Sequence, residues 1–564
     1  MTSHSDISDA QPSHLGSDHS ADNKFITGTR LWVVSAALSV PVFLSTLDAT
    51  IVATAVPQIT SEFHSTLDIG WYSTAYTIAN CAMLPMAGTL NTIFNPKIIF
   101  ITFLIIFELG SALSGAAVSS NMLIIGRAFA GMGAAGLYNG ALIMMAGVVK
   151  PSARAMQIGI GTAISASGTV FGPIIGGAVT TGASWRWCFY LNLPPGVLTV
   201  LIILFITFPT ETSKDRPNTL SQLIKALDLI GFGLFTPTCI MLLLALAWGG
   251  TTYSWNSPTI IGLFCGSVAC LGVFLLWEKL SGDKAMIPLS LLKRPIVSFS
   301  AVTVLFQFSS LVCLTYYLPI WFQTVKEASA LLSGVMLLPT IISQTLFTGV
   351  AGAIVSKTGF GTPPALLGCA LTTIGAGLLT TFNVSTNTGK WIGYQILLGA
   401  GRGLSLQIPL IVTQAVLPPS MIPKGTALIL FSQFFGCSVF IASSQTVFAN
   451  QLQKLISQYA PSLPNVDEVV KAGGLPEIIR KLGLELYLPQ ITHAYNDALI
   501  TTWYLSIALA GFSFFTAFGM GWRHIDGRDK PASGVEGQEM AHNTSSPRNE
   551  DTNRPRKKAF KTET

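Results

Sequence analysis

The sequence predicts an all-α polytopic membrane protein, with two six-helix bundles and two linking transmembrane helices, fourteen spans in all. Three observations carry this. Only 10% of the 564 residues are charged, against about 25% in soluble domains. Half are hydrophobic, and the mean hydropathy is +0.56. The apolar residues also fall into runs of about 20, the length that crosses a bilayer as a helix. A formal net charge of +6 is too small to argue for nucleic-acid binding.

In chain order the runs fall near 31–56, 70–92, 98–119, 121–149, 155–181, 188–208, 228–248, 258–277, 296–322, 330–355, 363–383, 391–415, 425–449 and 499–521. Residues 1–29 and 526–564 read as polar, disordered tails. The first has no apolar segment of the kind a signal peptide needs. Residues 30–208 form the first six-span unit and 296–525 the second. Residues 209–295 hold two linking spans with few polar groups, flanked by charged loops. Orientation follows from Lys and Arg in the short loops. With both tails inside, the inner loops hold Lys97, Lys150, Arg154, Lys214, Arg216, Lys225, Lys279, Lys284, Lys293, Arg294, Lys357 and Lys424. The short outer loops hold only Arg186, Lys326 and Lys390. A long outer loop covers 450–498; its stretches 450–458 and 475–488 mix apolar and polar residues and are expected to lie along the outer membrane face.

The eight cysteines lie in or beside apolar runs without a CxxC pair. They read as small apolar residues rather than metal ligands or disulfides. The histidines avoid the spans, so no catalytic or metal constellation is expected, and no cofactor. Gly131-Met-Gly-Ala-Ala-Gly136 matches a dinucleotide-binding pattern. That motif needs a preceding strand and a following acid, and here it sits inside an apolar run. Its glycines read as helix packing. Asn383-Val-Ser385 is a glycosylation sequon in an outer loop, close to the membrane.

Several polar residues stand where lipid makes them costly. Asp48, in Leu47-Asp-Ala-Thr-Ile-Val-Ala-Thr-Ala-Val-Pro57, lies about 12 Å inside the outer end of the first span. It reads as a proton-coupling group, or else as an acid bonded to a neighbour such as Thr50. Arg127 in the fourth span lies at a similar depth. It is always charged, so it calls for a carboxylate; Asp48 and Glu108 are the candidates. Glu108, near mid-membrane in the third span, is a second proton carrier or a packing residue bonded to Ser111 and Ser114. Arg402 sits mid-membrane in the twelfth span, on one face with Pro409, which can unwind the helix locally. It would attract an anionic substrate group or a buried acid. Asn80, Tyr138, Asn139, Tyr316, Gln344, Arg402 and Gln407 are expected to line a substrate cavity.

The fifth span carries Gly168–Gly177, sequence GTVFGPIIGG. Gly168, Gly172 and Gly176 share one helix face, and Pro173 weakens the helix between them. With Gly177 they read as a hinge, a flexible seam where two halves move. Ile125-Gly-Arg127 and Ala400-Gly-Arg402-Gly403 fall in equivalent spans of the two six-span units. Such a trace of an internal repeat is expected of transporters.

Taken together these motifs resemble the major facilitator superfamily, in particular its fourteen-span drug:proton antiporters (DHA2 type) and fungal efflux pumps for toxins and secondary metabolites. The first-span signature at 47–57, the fourth-span motif around Arg127, the antiporter motif at 168–177 and Trp185-Arg-Trp-Cys-Phe-Tyr-Leu-Asn-Leu-Pro-Pro-Gly196 carry the likeness. So do Tyr316–Gln323 and Ser333–Pro339. The resemblance implies a monomeric proton-coupled exporter of an amphipathic organic compound, not an enzyme, working by alternating access in the plasma membrane. A vacuolar or plasma-membrane transporter of nutrients such as basic amino acids is the other function it allows. The chain departs from the pattern at Asn91, where the superfamily has an acid that helps to lock the inner face.

Overall fold

The computed structural model describes residues 28–63, 68–149, 151–206, 208, 219–250, 253–282, 285–463, 480 and 484–522. Both tails and most of 464–483 lie outside them. Fourteen long helices cross the molecule: α1 (Thr29–Phe63), α2 (Ile69–Ile93), α3 (Pro96–Gly115), α4 (Ser120–Val148), α5 (Pro151–Gly182), α6 (Leu193–Phe205), α7 (Leu229–Trp248), α8 (Pro258–Ser281), α9 (Pro295–Val325), α10 (Leu338–Thr358), α11 (Thr362–Leu379), α12 (Thr388–Ser405), α13 (Ile422–Tyr459) and α14 (Leu488–Ala517). By length and composition, 13 segments qualify as membrane spans. The remaining helix, α2, is long enough at 25 residues. Its outer half carries Trp71, Tyr72, Ser73, Thr74, Tyr76 and Asn80, which lowers its hydropathy.

The helices start where the sequence offers caps. The side chains of Asn95, Ser119, Ser257 and Asn387 each accept from a backbone N–H in the first turn of α3, α4, α8 and α12. Each such cap stabilises its helix by about 1 kcal/mol. Small residues then let the helices meet. A side chain at Gly131 would strike the Tyr76 carbonyl of α2, and one at Gly133 or Gly136 would strike Phe107 or Phe103 of α3. The dinucleotide-like motif is therefore a packing surface.

Two expectations need correction. The stretch 450–458 does not lie along the membrane face. It continues α13 as one 38-residue helix. α14 begins at Leu488 rather than near 499, so His493 is helical too. The two extensions pack on each other through Leu452, Ile456, Ile491, Ala494, Tyr495 and Ala498. A mixed apolar–polar stretch has the same pattern whether its apolar face meets lipid or another helix. The twelfth span is broken as Pro409 predicts. α12 ends at Ser405 and a second helix runs Ile408–Val416.

The linking helices α7 and α8 attach where the two bundles meet. Phe235, Cys239 and Phe274 pack with Met86 of α2. Leu243 and Leu244 pack with Ile78 and Cys81 of α2, and Phe434 and Val439 of α13 join them. Towards the end assigned to the inside, one apolar core runs through both bundles. It joins Val148, Val149 and Ile158 of the first to Leu410, Ile411, Val412 and Leu417 of the second. Towards the other end each bundle keeps its own core, around Leu47, Ile51 and Trp185 in one and Tyr317, Trp321 and Trp503 in the other. The molecule is thus closed at its inner end.

That closure does not use the acid missing at position 91. Asn91 donates to the Ala87 carbonyl of its own helix at 2.8 Å. Lys97 donates to the carbonyls of Leu204 and Ile206 at 2.9 and 2.8 Å, capping α6. Contact falls instead to Gly88, where an added Cβ would come within 3.0 Å of the Pro423 carbonyl and overlap Ala427. Lys424 beside them donates to the Ala285 carbonyl at 2.7 Å. The following residues, Met286 and Ile287, donate to Asp228 at 2.9 Å and Glu278 at 3.1 Å. The linking segment therefore ties to the inner end of α13. Gly88→Leu should hold the inner end apart. Spin labels replacing the exposed Phe94 and Ser420 should show a longer distance in that variant; an unchanged distance would place the closure elsewhere.

Candidate functional site

The polar residues of the first bundle meet at one point. Arg127 of α4 and Asp48 of α1 form an ion pair through Nη1 and Oδ2, and both side chains are 0% exposed. Arg127 Nη2 also donates to the Asp48 carbonyl at 3.3 Å, and Nε to the Tyr72 carbonyl of α2 at 2.9 Å. The guanidinium lies over the Tyr76 ring at 4.5 Å and near Phe189 at 5.8 Å. The Tyr76 hydroxyl donates to the Ser45 carbonyl at 2.8 Å. Asn192 Nδ2, at the entry to α6, donates to the other Asp48 oxygen and to Ser111 of α3, both at 3.1 Å. Asp48 is therefore satisfied at both oxygens, from α4 and α6. A buried charge needs this, because leaving it unpaired costs several kcal/mol.

Glu108 is the exception. It lies one helical turn from Ser111 on α3, within electrostatic reach of Asp48. Neither of its buried oxygens has a hydrogen-bond partner among the described residues. The predicted bonds to Ser111 and Ser114 are absent: Ser111 serves Asn192, and the Ser114 hydroxyl is itself without a partner. Room for the carboxyl exists because Gly196 of α6 faces it; a Cβ there would overlap Oε1. The second reading for Arg127, a pair with Glu108, is not what the structure contains.

Nearer the outer end, Glu62 closes the bundle. Arg186 binds it through two nitrogens at 3.1 and 2.8 Å, and Trp185 Nε1 donates at 2.7 Å. Arg186 also reaches the Ala117 carbonyl at 2.9 Å. These bonds, Arg186 first and Trp185 second, hold the Glu62 carboxyl below its ordinary range. The motif at 185–196 thus has two tasks, a surface clasp and the Asn192 bridge. Sequence reasoning assigned no role to Arg186 or Asn192; the signal that could have found them is an amide and a cation at the mouth of an otherwise apolar helix.

The glycines of the antiporter motif pack inside the first bundle, not between the bundles. A Cβ at Gly168 would lie 2.8 Å from the Phe43 carbonyl of α1, and at Gly176 2.8 Å from Ile51 Cγ1. At Gly172 it would overlap the Thr50 hydroxyl, and Thr50 donates to the Gly168 carbonyl at 3.4 Å. α5 stays one helix through Pro173, which is exposed, and Gly177 faces open space. The seam where the bundles meet is on other residues of α5. Gly159 abuts Thr348 of α10, and Ile174 lies near Gly334.

The predicted cavity residues divide. Gln344 and Gln407 line a narrow cleft of roughly 30 Å³ between α5, α10 and the break in the twelfth span, together with Gly159, Thr162 and Leu406. Tyr138 borders a second small space of roughly 30 Å³ between α1, α4 and α5 and meets Phe434 of α13 edge-on at 5.8 Å. Tyr316 is 46% exposed. Asn80 is buried on α2, its Oδ1 without a partner. Asn139 is fully enclosed and both its side-chain atoms lack partners. It shares a helix face with Gly131 and Ala135, which pack on α2. Arg402 donates to Thr315 Oγ1 and the Leu311 carbonyl of α9, each at 3.3 Å. Asn383 lies in the exposed turn after α11, its Oδ1 accepting from Ser385 and Thr386.

Two helical bundles with an ion pair and a lone carboxyl buried at membrane depth form the architecture of a multispan membrane transporter. The Major Facilitator Superfamily model matches residues 38–441, and the chain belongs to that family. It is 43% identical over 508 residues to the MFS-type transporter pigP of Monascus ruber, covering 90% of this chain and 89% of that one. It is 44% identical over 514 residues to the efflux pump mlcE of Penicillium citrinum, covering 89% and 92%. Among solved structures, the proton:xylose symporter XylE superposes with a TM-score of 0.56 at 12% identity, over 89% of this chain and 99% of that one. This last likeness bears on the fold.

Two outcomes test the geometry by thermal stability of the purified protein. Asp48→Ala and Arg127→Ala should each destabilise by about 3–5 kcal/mol. The double substitution should cost clearly less than their sum, since it leaves no orphan charge; additivity would mean no coupling. Gly176→Leu should lower the melting temperature by forcing α1 from α5, while Gly177→Ala should not. Equal effects would disprove the one-sided packing.

Proposed function

We propose that the protein is a proton-coupled exporter of an amphipathic organic compound, a fungal secondary metabolite or toxin, in the plasma membrane. Efflux is the activity named for relatives such as mlcE, and the similarity spans nearly the whole of both chains. The single observation that carries the coupling is the contrast between two acids in one bundle. Asp48 is held by Arg127 and Asn192, whereas Glu108 beside it has no partner.

Glu108 is the place where a proton can sit without breaking an ion pair. Asp48 is the place where a proton would release Arg127. Moving the proton from one to the other changes what holds α1 to α4 and α6, and so the shape of the bundle. With the inner end closed, the bundles would next part at that end and close at the other, which is alternating access. Substrate would occupy the space between the bundles, bordered by Tyr138, Gln344 and Gln407. The protein acts as a monomer, since one chain supplies both bundles.

Proteoliposomes loaded with a relative's exported compound and given a pH gradient test this. Glu108→Gln should abolish gradient-driven flux, by about 100-fold or more, while substrate exchange at equal pH persists. Loss of both, or retention of both, would remove Glu108 from the coupling step.

A further inference from the structure

We propose that Arg402 is the docking point for a carboxylate on the transported molecule, so that the substrate class is amphipathic organic acids. This rests on the exporter reading above and deepens it. In each bundle the fourth helix carries Gly-Arg, Gly126-Arg127 in α4 and Gly401-Arg402 in α12. In each, the guanidinium reaches the first helix of its own bundle. Arg127 reaches Asp48 of α1, and Arg402 reaches Thr315 of α9. The repeat has a carboxylate in one bundle and a hydroxyl at the corresponding contact in the other.

The consequence is an unbalanced charge. Arg402 is 2% exposed. Its bonds are both to neutral oxygens and both long, at 3.3 Å, and Nε has no partner. Among the described residues no carboxylate pairs with it. A guanidinium buried without an anion is costly, and the cost is recovered only when one arrives. Its place suits an arriving ligand. One turn along the helix, Leu406 lines the cleft between the bundles with Gln344 and Gln407. The helix breaks just beyond, between Ser405 and Ile408. A planar guanidinium with free donor capacity matches a carboxylate in two-point geometry, and the apolar and amide walls take the rest of the molecule.

The test is equilibrium binding to the purified full-length protein at neutral pH, with 9-anthroate and its uncharged analogue 9-anthracenecarboxamide as probes. The wild-type protein should bind the carboxylate roughly tenfold or more tightly than the amide, the gain of one charge-assisted contact. Arg402→Gln should erase that preference while amide binding stays, and Arg402→Lys should keep part of it. Thr315→Asp is the second variant, in case loss of the arginine prevents folding. It supplies an internal carboxylate like that of the first bundle and should also erase the preference. Equal binding of the two probes by the wild type, binding of neither, or a preference that survives both substitutions overturns the proposal. Binding needs no gradient, so a failure of proton coupling appears only in the flux assay and leaves this result readable.

Discussion

A guanidinium inside a bilayer has no water to turn to, and the first bundle is arranged around that fact. Arg127 takes its counter-charge from α1 and a carbonyl from α2. The acid it holds is held in turn from α6, and the same amide binds α3. Five of the six helices are thus linked through one ion pair, by directional bonds that fix rotation as well as distance. The sixth, α5, is attached differently. Its glycines let its backbone lie on α1, where close packing and neutral hydrogen bonds, such as Gln58 Nε2 to the Thr180 carbonyl at 3.0 Å, do the holding rather than charge. A change at Asp48 therefore reaches the whole bundle, including the helix that meets the second half at Gly159 and Ile174.

What could be read in the sequence follows from what lipid forbids. Apolar runs of span length have few alternative uses, so thirteen spans stand out by hydropathy, and α2 is visible by length despite its polar outer half. Charges at membrane depth are equally conspicuous, which is why Asp48, Glu108, Arg127 and Arg402 could be picked out before any contact was known. Pro409 announced the break in the twelfth span because it cannot donate within a helix. The projecting ends of α13 and α14 were not legible, since an amphipathic stretch does not say what covers its apolar face.

Partners within the site were harder. Asp48 and Glu108 both lie within plausible reach of Arg127 along the chain. The choice between them depends on helix rotation, which periodicity does not fix to the nearest residue. The lone state of Glu108 depends on Gly196 leaving room for it, a contact between residues 88 positions apart. Asn192 lies in the motif at 185–196, yet an amide has both donors and an acceptor, and only its placement shows it bridging Asp48 and Ser111. The glycine seam met a related limit. Glycines on one face reveal close approach but not to which neighbour, and here the neighbour is α1 of the same bundle.

The inner end closes by packing rather than by charge. An acid at position 91 would make closure a matter of charge, but Asn91 bonds within its own helix. Closure rests on a small residue, Gly88, meeting Pro423 and Ala427, with Lys424 bound to a loop that Asp228 and Glu278 hold in place. Packing of this kind is non-directional. The loop that steadies it belongs to the two linking helices, which also pack on α2 and α13. In a twelve-span arrangement those helices would be absent. Here they are structural parts of the interface, and they compensate for the missing charge relay with a backbone contact that one lysine makes.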